Sequence, residues 1–337
     1  MLPTSYSIAD HRIEPNLVLS PMEGVTDLTF RRLIRQLGGA GLTVTEFVPG
    51  GALSRRDKKF VEMASFDADE RPVAVQLYGR DPEQMADGAR FVQDLGATFV
   101  DINMGCPSKQ VCKNSGGSAL MRDPETARAI VEAVVEAVDV PVTVKMRSGF
   151  SGDNRNAPEI AWMCQEEGAA AVAIHWRTRE DKYSGERAVD KIAETKARLA
   201  IPVLANGDVV DVDSARRMFQ DTGCDGLLIG RGAIRDPWVF ERIRRWQHGE
   251  PELVVDDGAK HQVLLDYVAG LKVRFDDGRK SPERLDHAVL GRFKMLVKYF
   301  ALRHLADGRD VRTRVLRSQT LDEALGHIAE HFERRAA

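Results

Sequence analysis

From Leu17 to about Gln247, short apolar runs rich in β-branched residues alternate with longer segments whose apolar residues recur at helical spacing. The runs LVLSPM (17–22), LTVTEFV (42–48), VAVQLYG (73–79), FVDINMG (99–105), VTVKMR (142–147), AVAIHW (171–176), PVLANG (202–207) and GLLIGR (226–231) are the expected strands. Two of the helical segments between them, DPEQMADGARFVQDLG and DPETARAIVEAVVEAV, open on Asp-Pro. There the carboxylate can cap free amides and proline fits the first turn. Others close on glycine, in QLGG, DLG, EEG and DTG, where a left-handed residue ends a helix. Repeated strand-helix units predict a parallel sheet covered by helices. Because no GxGxxG follows the first strand, the expected architecture is a closed (β/α)8 TIM barrel rather than a doubly wound open sheet.

After about Glu250 the strand signal stops. The segments AKHQVLLDYVAGLKVRF, HAVLGRFKMLVKYFALRHL and LDEALGHIAEHF read as helices, so the chain divides into a barrel over 1–248 and a small all-α helical domain over 249–337. With 337 residues there is room for both, since a barrel takes roughly 250. Hydrophobic residues at 43% and charged residues at 29% suit a globular protein with a substantial core.

The first residues, MLPTSYSIADHR, lack the basic and apolar regions of a leader, and no run is long enough to span a bilayer. A cytoplasmic protein with no membrane association is expected. Cys106, Cys112, Cys164 and Cys224 have no paired CxxC spacing, so neither a zinc site nor a disulfide framework is expected. The net charge of −3 disfavours nucleic-acid binding through overall charge. Locally the picture differs. Between Gly291 and Arg317 stand Arg292, Lys294, Lys298, Arg303, Arg309, Arg312, Arg314 and Arg317 against only Asp307 and Asp310. Such an excess of one sign reads either as a solvated helix face or as a nucleic-acid footprint.

In a barrel of this kind the reactive groups sit where strands end and loops begin. Here those ends are polar: Met22 and Glu23, Glu46, Gln76, Asn103 with Cys106, Lys145 with Arg147, His175 with Arg177, Asn206 with Asp208, and Gly230 with Arg231. Alternation puts Lys145 and Arg147 on one side of their strand, and likewise His175 and Arg177. If that side is the interior, cations converge at the mouth and need an anion, supplied by protein carboxylates such as Asp101 or by a ligand phosphate. Asn206-Gly207-Asp208 and the GRG at 230–232 follow strands seven and eight, the usual phosphate position in barrels. A helix start is expected at Arg235-Asp236-Pro237.

The ordered set PMEGVTDLTFRR, DINMGCPSK, KMRSG, HWRTR, NGD and IGRGAIRDPWVF resembles the tRNA-dihydrouridine synthase family of flavoenzymes across nearly the whole barrel, and the trailing helices fit that family's layout. The resemblance implies bound FMN, NADPH as reductant and a uridine of tRNA as substrate, with no sign of an obligate protein partner. It places Pro21, Met22 and Glu23 against the flavin and Gln76 at its ring edge. Lys145 would face the pyrimidine side, while His175, Asn206, Gly207, Asp208, Gly230 and Arg231 would hold the ribityl chain and phosphate. Two departures stand out: Trp176 occupies a position where the family suggests glycine, and Cys112 is an additional thiol in the loop after Cys106.

Reduction of uracil adds hydride at C6 and needs an acid for C5. Cys106 is the candidate, because an ordinary thiol is mostly protonated at neutral pH. Asn103 offers a donor and an acceptor for a uracil edge, with Arg147 and Arg177 near the entering nucleotide and Arg312 and Arg314 on tRNA phosphates. Competing readings are an FMN barrel dehydrogenase of a small pyrimidine, a Schiff-base aldolase using Lys145, and a tRNA-folding aid whose redox chemistry is dispensable.

Overall fold

The structure is a computed structural model. It describes all residues except Met1, 109–110, 113–115, 182–183, 306–307 and Ala337; the side chains of 301–303, 308 and 336 also lie outside it. Arg303 and Asp307 of the basic segment, and most of the loop between Cys106 and Gly116, therefore fall outside the description.

The strands, in chain order, are β1 (Tyr6–Ile8), β2 (His11–Ile13), β3 (Leu17–Leu19), β4 (Leu42–Val44), β5 (Val48–Pro49), β6 (Val73–Tyr78), β7 (Phe99–Met104), β8 (Val142–Arg147), β9 (Ala171–His175), β10 (Val203–Asn206) and β11 (Gly226–Ile229). The order β3-β4-β6-β7-β8-β9-β10-β11 closes on itself through parallel pairing of β11 with β3, giving the expected eight-stranded barrel. The second expected strand, 42–48, is broken. β4 and β5 both pair with β6 but are separated by residues 45–47, of which the Thr45 amide still donates to the Ala74 carbonyl at 3.0 Å.

Alternation along each strand sorts the side chains. Leu17, Leu19, Val75, Val100, Ile102, Val144, Met146, Val172 and Ile174 face outward into the core shared with the surrounding helices. Val18, Leu42, Val44, Ala74, Phe99, Ala171, Ala173, Leu204 and Leu228 face inward and pack with Tyr6, Ile8 and Ile13 of the β1–β2 hairpin. The hairpin thus plugs the N-terminal end of the barrel. Strands of three residues carry too little periodicity for the sequence to have shown it.

The expected helix signals act as anticipated. Asp81 accepts from the Gln84 amide at 2.9 Å and Asp123 from the Thr126 amide at 3.2 Å, each ahead of a proline in the first turn. Gly223 closes the helix Val212–Thr222 in the left-handed region, with φ of 63°. One expectation fails. The short helix after β11 begins at Arg231, with Gly230 before it, and ends at Arg235. Asp236 is no helix start facing the mouth; it is fully buried, with Arg242 Nε at 2.9 Å and His304 Nε2 at 3.1 Å.

Beyond the barrel lie helices Asp257–Phe275, Pro282–His304, Gly308–Arg317 and Leu321–Ala336. The basic stretch 291–317 is therefore shared between two of these helices. These helices share the barrel's outer core: Tyr267 meets Phe30 edge-on at 6.2 Å, and Trp238 meets Phe300 at 6.3 Å. Such buried aromatic pairs add about 0.5–1.5 kcal/mol each beyond area burial.

Candidate active site

Strand register stacks the inward polar residues into layers above the apolar plug. Gln76 pairs with Asp101, Asn103 with Lys145, Arg147 with His175, and His175 with Asn206. Asp101 accepts from Gln76 Nε2 at 2.5 Å and from Thr143 Oγ1 at 2.6 Å, and Asn103 Nδ2 donates to Gln76 Oε1 at 2.7 Å. The chain runs from the barrel floor to the loop that carries Cys106. Burial pushes the Asp101 carboxyl up to about 6 despite those hydrogen bonds and the field of Lys145.

Asn103 Oδ1 then accepts from the amides of Gly105 and Cys106, so most of its side chain is spent on the protein rather than left for a uracil edge. The Cys106 carbonyl accepts from Ser118 Oγ at 2.9 Å and from Cys112 Sγ at 3.5 Å. Arg147 Nε donates to the Gly105 carbonyl at 2.8 Å and its Nη1 to the Thr178 carbonyl at 2.9 Å, which makes it a brace for the loop. Burial raises the Cys106 thiol above its ordinary value, and the negative field of Glu23 acts in the same direction. Tyr78, which the sequence reading did not single out, feels both Glu23 and Cys106 and is raised mainly by burial.

Lys145 makes no hydrogen bond or ion pair within the described residues; the alternative of a direct pair with Asp101 is not seen. Burial, reinforced by Arg147, lowers its ammonium to about 8. Burial and the fields of Arg147, Lys145 and Arg177 hold His175 well below its ordinary range, so the imidazole is neutral. Its Nδ1 accepts from the Arg177 amide at 3.1 Å, leaving the ring proton on Nε2.

A second cluster surrounds Asp208. It receives Arg177 Nη2 at 2.7 Å and Arg231 Nη2 at 2.8 Å, with Arg187 at 3.8 Å. Arg177 Nη1 is buried without a hydrogen-bond partner among the described residues. Asn206 is held by a bond from its Nδ2 to the Leu228 carbonyl at 2.8 Å. Trp176 is 7% exposed, belongs to the core shared with the surrounding helices and lies over Gly207, whose absent Cβ would come 2.4 Å from the indole Cε2 and Nε1. Gly230 borders Met22 of the loop after β3, its Cβ position being 3.4 Å from Met22 Sδ.

The structure thus brings Gln76, Asn103, Cys106, Lys145, Arg147 and His175 to neighbouring positions at one end of the barrel, with Arg177, Asp208 and Arg231 beside them. Arg312 and Arg314 lie apart, on the helix Gly308–Arg317, where Arg314 pairs with Glu330. Glu46, a strand-end acid to which the sequence reading gave no role, is 4% exposed and accepts from the Gly24 amide.

Fold and site together define a (β/α)8-barrel enzyme with its chemistry at the C-terminal ends of the strands. The profile of the dihydrouridine synthase (Dus) family matches residues 18–325. The chain belongs to that family. It is 43% identical over 271 residues to tRNA-dihydrouridine synthase B of Pseudomonas syringae pv. tomato, covering 80% of each chain. It is 37% identical over 329 residues to tRNA-dihydrouridine synthase B of Pseudomonas aeruginosa, covering 97% of this chain and 96% of that one. Among solved structures, histamine dehydrogenase from Rhizobium sp. 4-9 is similar in fold, with a TM-score of 0.55 and 15% identity over 79% of this chain and 51% of that one. No helix among the described residues is long and apolar enough to cross a membrane.

Proposed function

We propose that this dihydrouridine synthase reduces the C5=C6 bond of a uridine in tRNA, with FMN as resident cofactor and NADPH as electron source. The observation that carries the reading is the meeting, at one barrel mouth, of Lys145, Arg147, Arg177 and Arg231, with more cations than the nearby Asp101 and Asp208 balance, and a thiol on a braced loop. Lys145, without a hydrogen bond or ion pair among the described residues, and the buried Arg177 Nη1, without a hydrogen-bond partner among them, suit an anionic, hydrogen-bonding cofactor. Gly230 leaves backbone open beside Arg231, as a phosphate requires, whereas Gly207 is covered by Trp176. Pro21, Met22, Glu23, Gln76, His175, Asn206 and Asp208 would complete the holding set.

When bound, the flavin supplies hydride for C6 of the pyrimidine. Cys106 gives its proton to C5, so that one hydride and one proton saturate the double bond. The raised thiol suits donation, since a thiolate would act as a nucleophile instead. Asn103, Ser118 and Arg147 hold the loop so that Sγ stays in place. A stacked uridine cannot reach the mouth, so the base must be extruded at a cost of about a few kcal/mol, offset by contacts to the tRNA backbone. Cations of the helical part, 249–337, would make those contacts, with the half-buried Arg312 and Arg314 among them.

The test compares wild type and Cys106→Ala with NADPH and tRNA. The variant is expected to keep its yellow flavin and its reduction by NADPH, and to lose dihydrouridine formation as read by nucleoside mass. Undiminished dihydrouridine would overturn the acid assignment; a wild type without flavin would overturn the reading as a whole.

A further inference from the structure

The loop after β3 is held from two sides at a single residue. Gly24, with φ of 73°, donates its amide to Glu46 Oε1, and its carbonyl accepts from Arg292 Nη1 on the helix Pro282–His304. Glu46 sits in the break between β4 and β5, so the interruption of the second strand is what turns this acid toward the loop. A carboxylate 4% exposed is costly unless it is paired and hydrogen-bonded. The charged groups facing it are Arg292, Asp27 and Arg274. Tyr267 OH, Asp27 Oδ2 and Arg274 Nε are buried in the same region without hydrogen-bond partners among the described residues.

The loop so held carries Met22 and Glu23. Met22 borders Gly230, and Glu23 acts on both Tyr78 and Cys106. Arg292 was expected among the tRNA-gripping cations, yet its guanidinium is directed at the barrel.

We propose that Glu46 and Arg292 are positioning residues that act through Gly24, so that docking of the helical part onto the barrel sets the loop bearing Met22 and Glu23 beside the flavin and Cys106. This rests on the FMN-dependent reading above. It makes the helical part a component of the active site as well as a grip for tRNA.

The holoenzyme is compared with Arg292→Met, Glu46→Ala, Glu46→Gln and the double variant Glu46→Ala/Arg292→Met. Arg292→Met is expected to lower kcat by about tenfold or more and to shift the flavin absorption bands, with tRNA affinity within about twofold of wild type. Glu46→Gln keeps the acceptor for the Gly24 amide and is expected to restore most of what Glu46→Ala loses. The double variant should be little worse than either single one, because both act on the same loop. Weakened tRNA binding with an unchanged spectrum and unchanged kcat at saturating tRNA would make Arg292 a phosphate contact and overturn the proposal, as would additive losses in the double variant. Should Arg292→Met fail to fold, Arg292→Ala, which likewise removes the donor to Gly24, is read in the same way, and a spectrum and kcat like wild type count against the proposal. A wild type that binds FMN and reduces tRNA beside unaffected variants refutes this inference alone; a wild type that does neither removes the functional reading with it.

Discussion

The side-chain oxygen of Asn103 lies 2.9 Å from the backbone amide of Cys106, and it takes the neighbouring Gly105 amide at 3.0 Å as well. Both amides would otherwise be left without partners in a loop broken by Pro107. One strand-end amide therefore sets the direction in which the thiol leaves the barrel, and Gln76 and Asp101 fix that amide in turn. Replacing Asn103 by alanine frees the loop without touching the thiol. Because a misplacement of roughly 1 Å can cost about a hundredfold in rate, Asn103→Ala is expected to slow uridine reduction by about that factor. Flavin reduction by NADPH, followed separately by stopped flow, should be little changed. Equal slowing of both half-reactions would show that Asn103 serves the flavin rather than the thiol.

Asp101 gives the site a pH signature. Its carboxyl is raised to about 6 by burial, against an ordinary value near 3.9. Between roughly pH 4 and 6 the folded chain thus binds more protons than the unfolded one, and the contribution of Asp101 to stability falls as pH rises through that window. Below about pH 4 both states are protonated and the advantage is complete. Asp101→Asn is expected to remove this decline, so that wild type loses stability relative to the variant from pH 4 to 6 and runs parallel to it above. Urea denaturation of the flavin-free protein across that range measures the difference. A flat difference would contradict the burial of this carboxyl.

The basic helical segment is less uniform than its composition suggests. Arg292 is committed to Gly24, Lys294 donates to the Ser318 carbonyl at 2.5 Å, and Arg314 pairs with Glu330. Lys298, Arg309 and Arg317 are exposed, and Arg312 is half-buried. If this face grips phosphates, each contact removed lowers the slope of log affinity against log salt by about one. Arg312→Ala is expected to show that change for tRNA with no effect on flavin binding. Arg314→Glu is a poorer probe, because it would place a second carboxylate beside Glu330. An unchanged affinity and salt slope for Arg312→Ala, measured by filter binding, would move the tRNA surface elsewhere.

The barrel was legible because its periodic signals are local: strand runs, Asp-Pro helix starts and closing glycines each act within a few residues. Alternation alone put Lys145 and Arg147 on one side of their strand, and the closed sheet makes that side the interior. What escaped was set by contacts distant in sequence. The β1–β2 hairpin has strands too short for a pattern, and its role depends on a barrel floor built by eight other segments. Asp236 looked like a helix start because Pro237 follows it, but pairing with Arg242 and His304 buries it. Asn103 looked free to read a base, since nothing in DINMGCPSK shows that its oxygen is spent on the next amides. Arg292 looked like one of eight equivalent cations until the packing of its helix brought it to Gly24.

Trp176 is the plainest departure from what the family resemblance suggests, and it has a measurable partner. A Cβ on Gly207 would lie 2.4 Å from two indole atoms, and φ at this glycine is 147°, so Gly207→Ala meets both a clash and a strained backbone. The overpacking part should cost about 1–3 kcal/mol. Trp176→Gly removes the clash but not the backbone strain. Gly207→Ala should therefore be less damaging in the Trp176→Gly background, with a coupling of about 0.5–3 kcal/mol in a double-mutant cycle read by urea denaturation. The indole also lies beside the guanidinium groups of Arg187 and Arg177, at 5.1 and 5.7 Å from ring to carbon. Those cations are anchored independently, Arg177 by the Gly185 carbonyl at 3.0 Å and by Asp208. Trp176→Gly should consequently keep its affinity for FMN while losing stability, which separates packing from cofactor binding at this position. Additive effects in the cycle would mean that the indole does not cover Gly207, and loss of FMN from Trp176→Gly at unchanged stability would make the tryptophan part of the cofactor site.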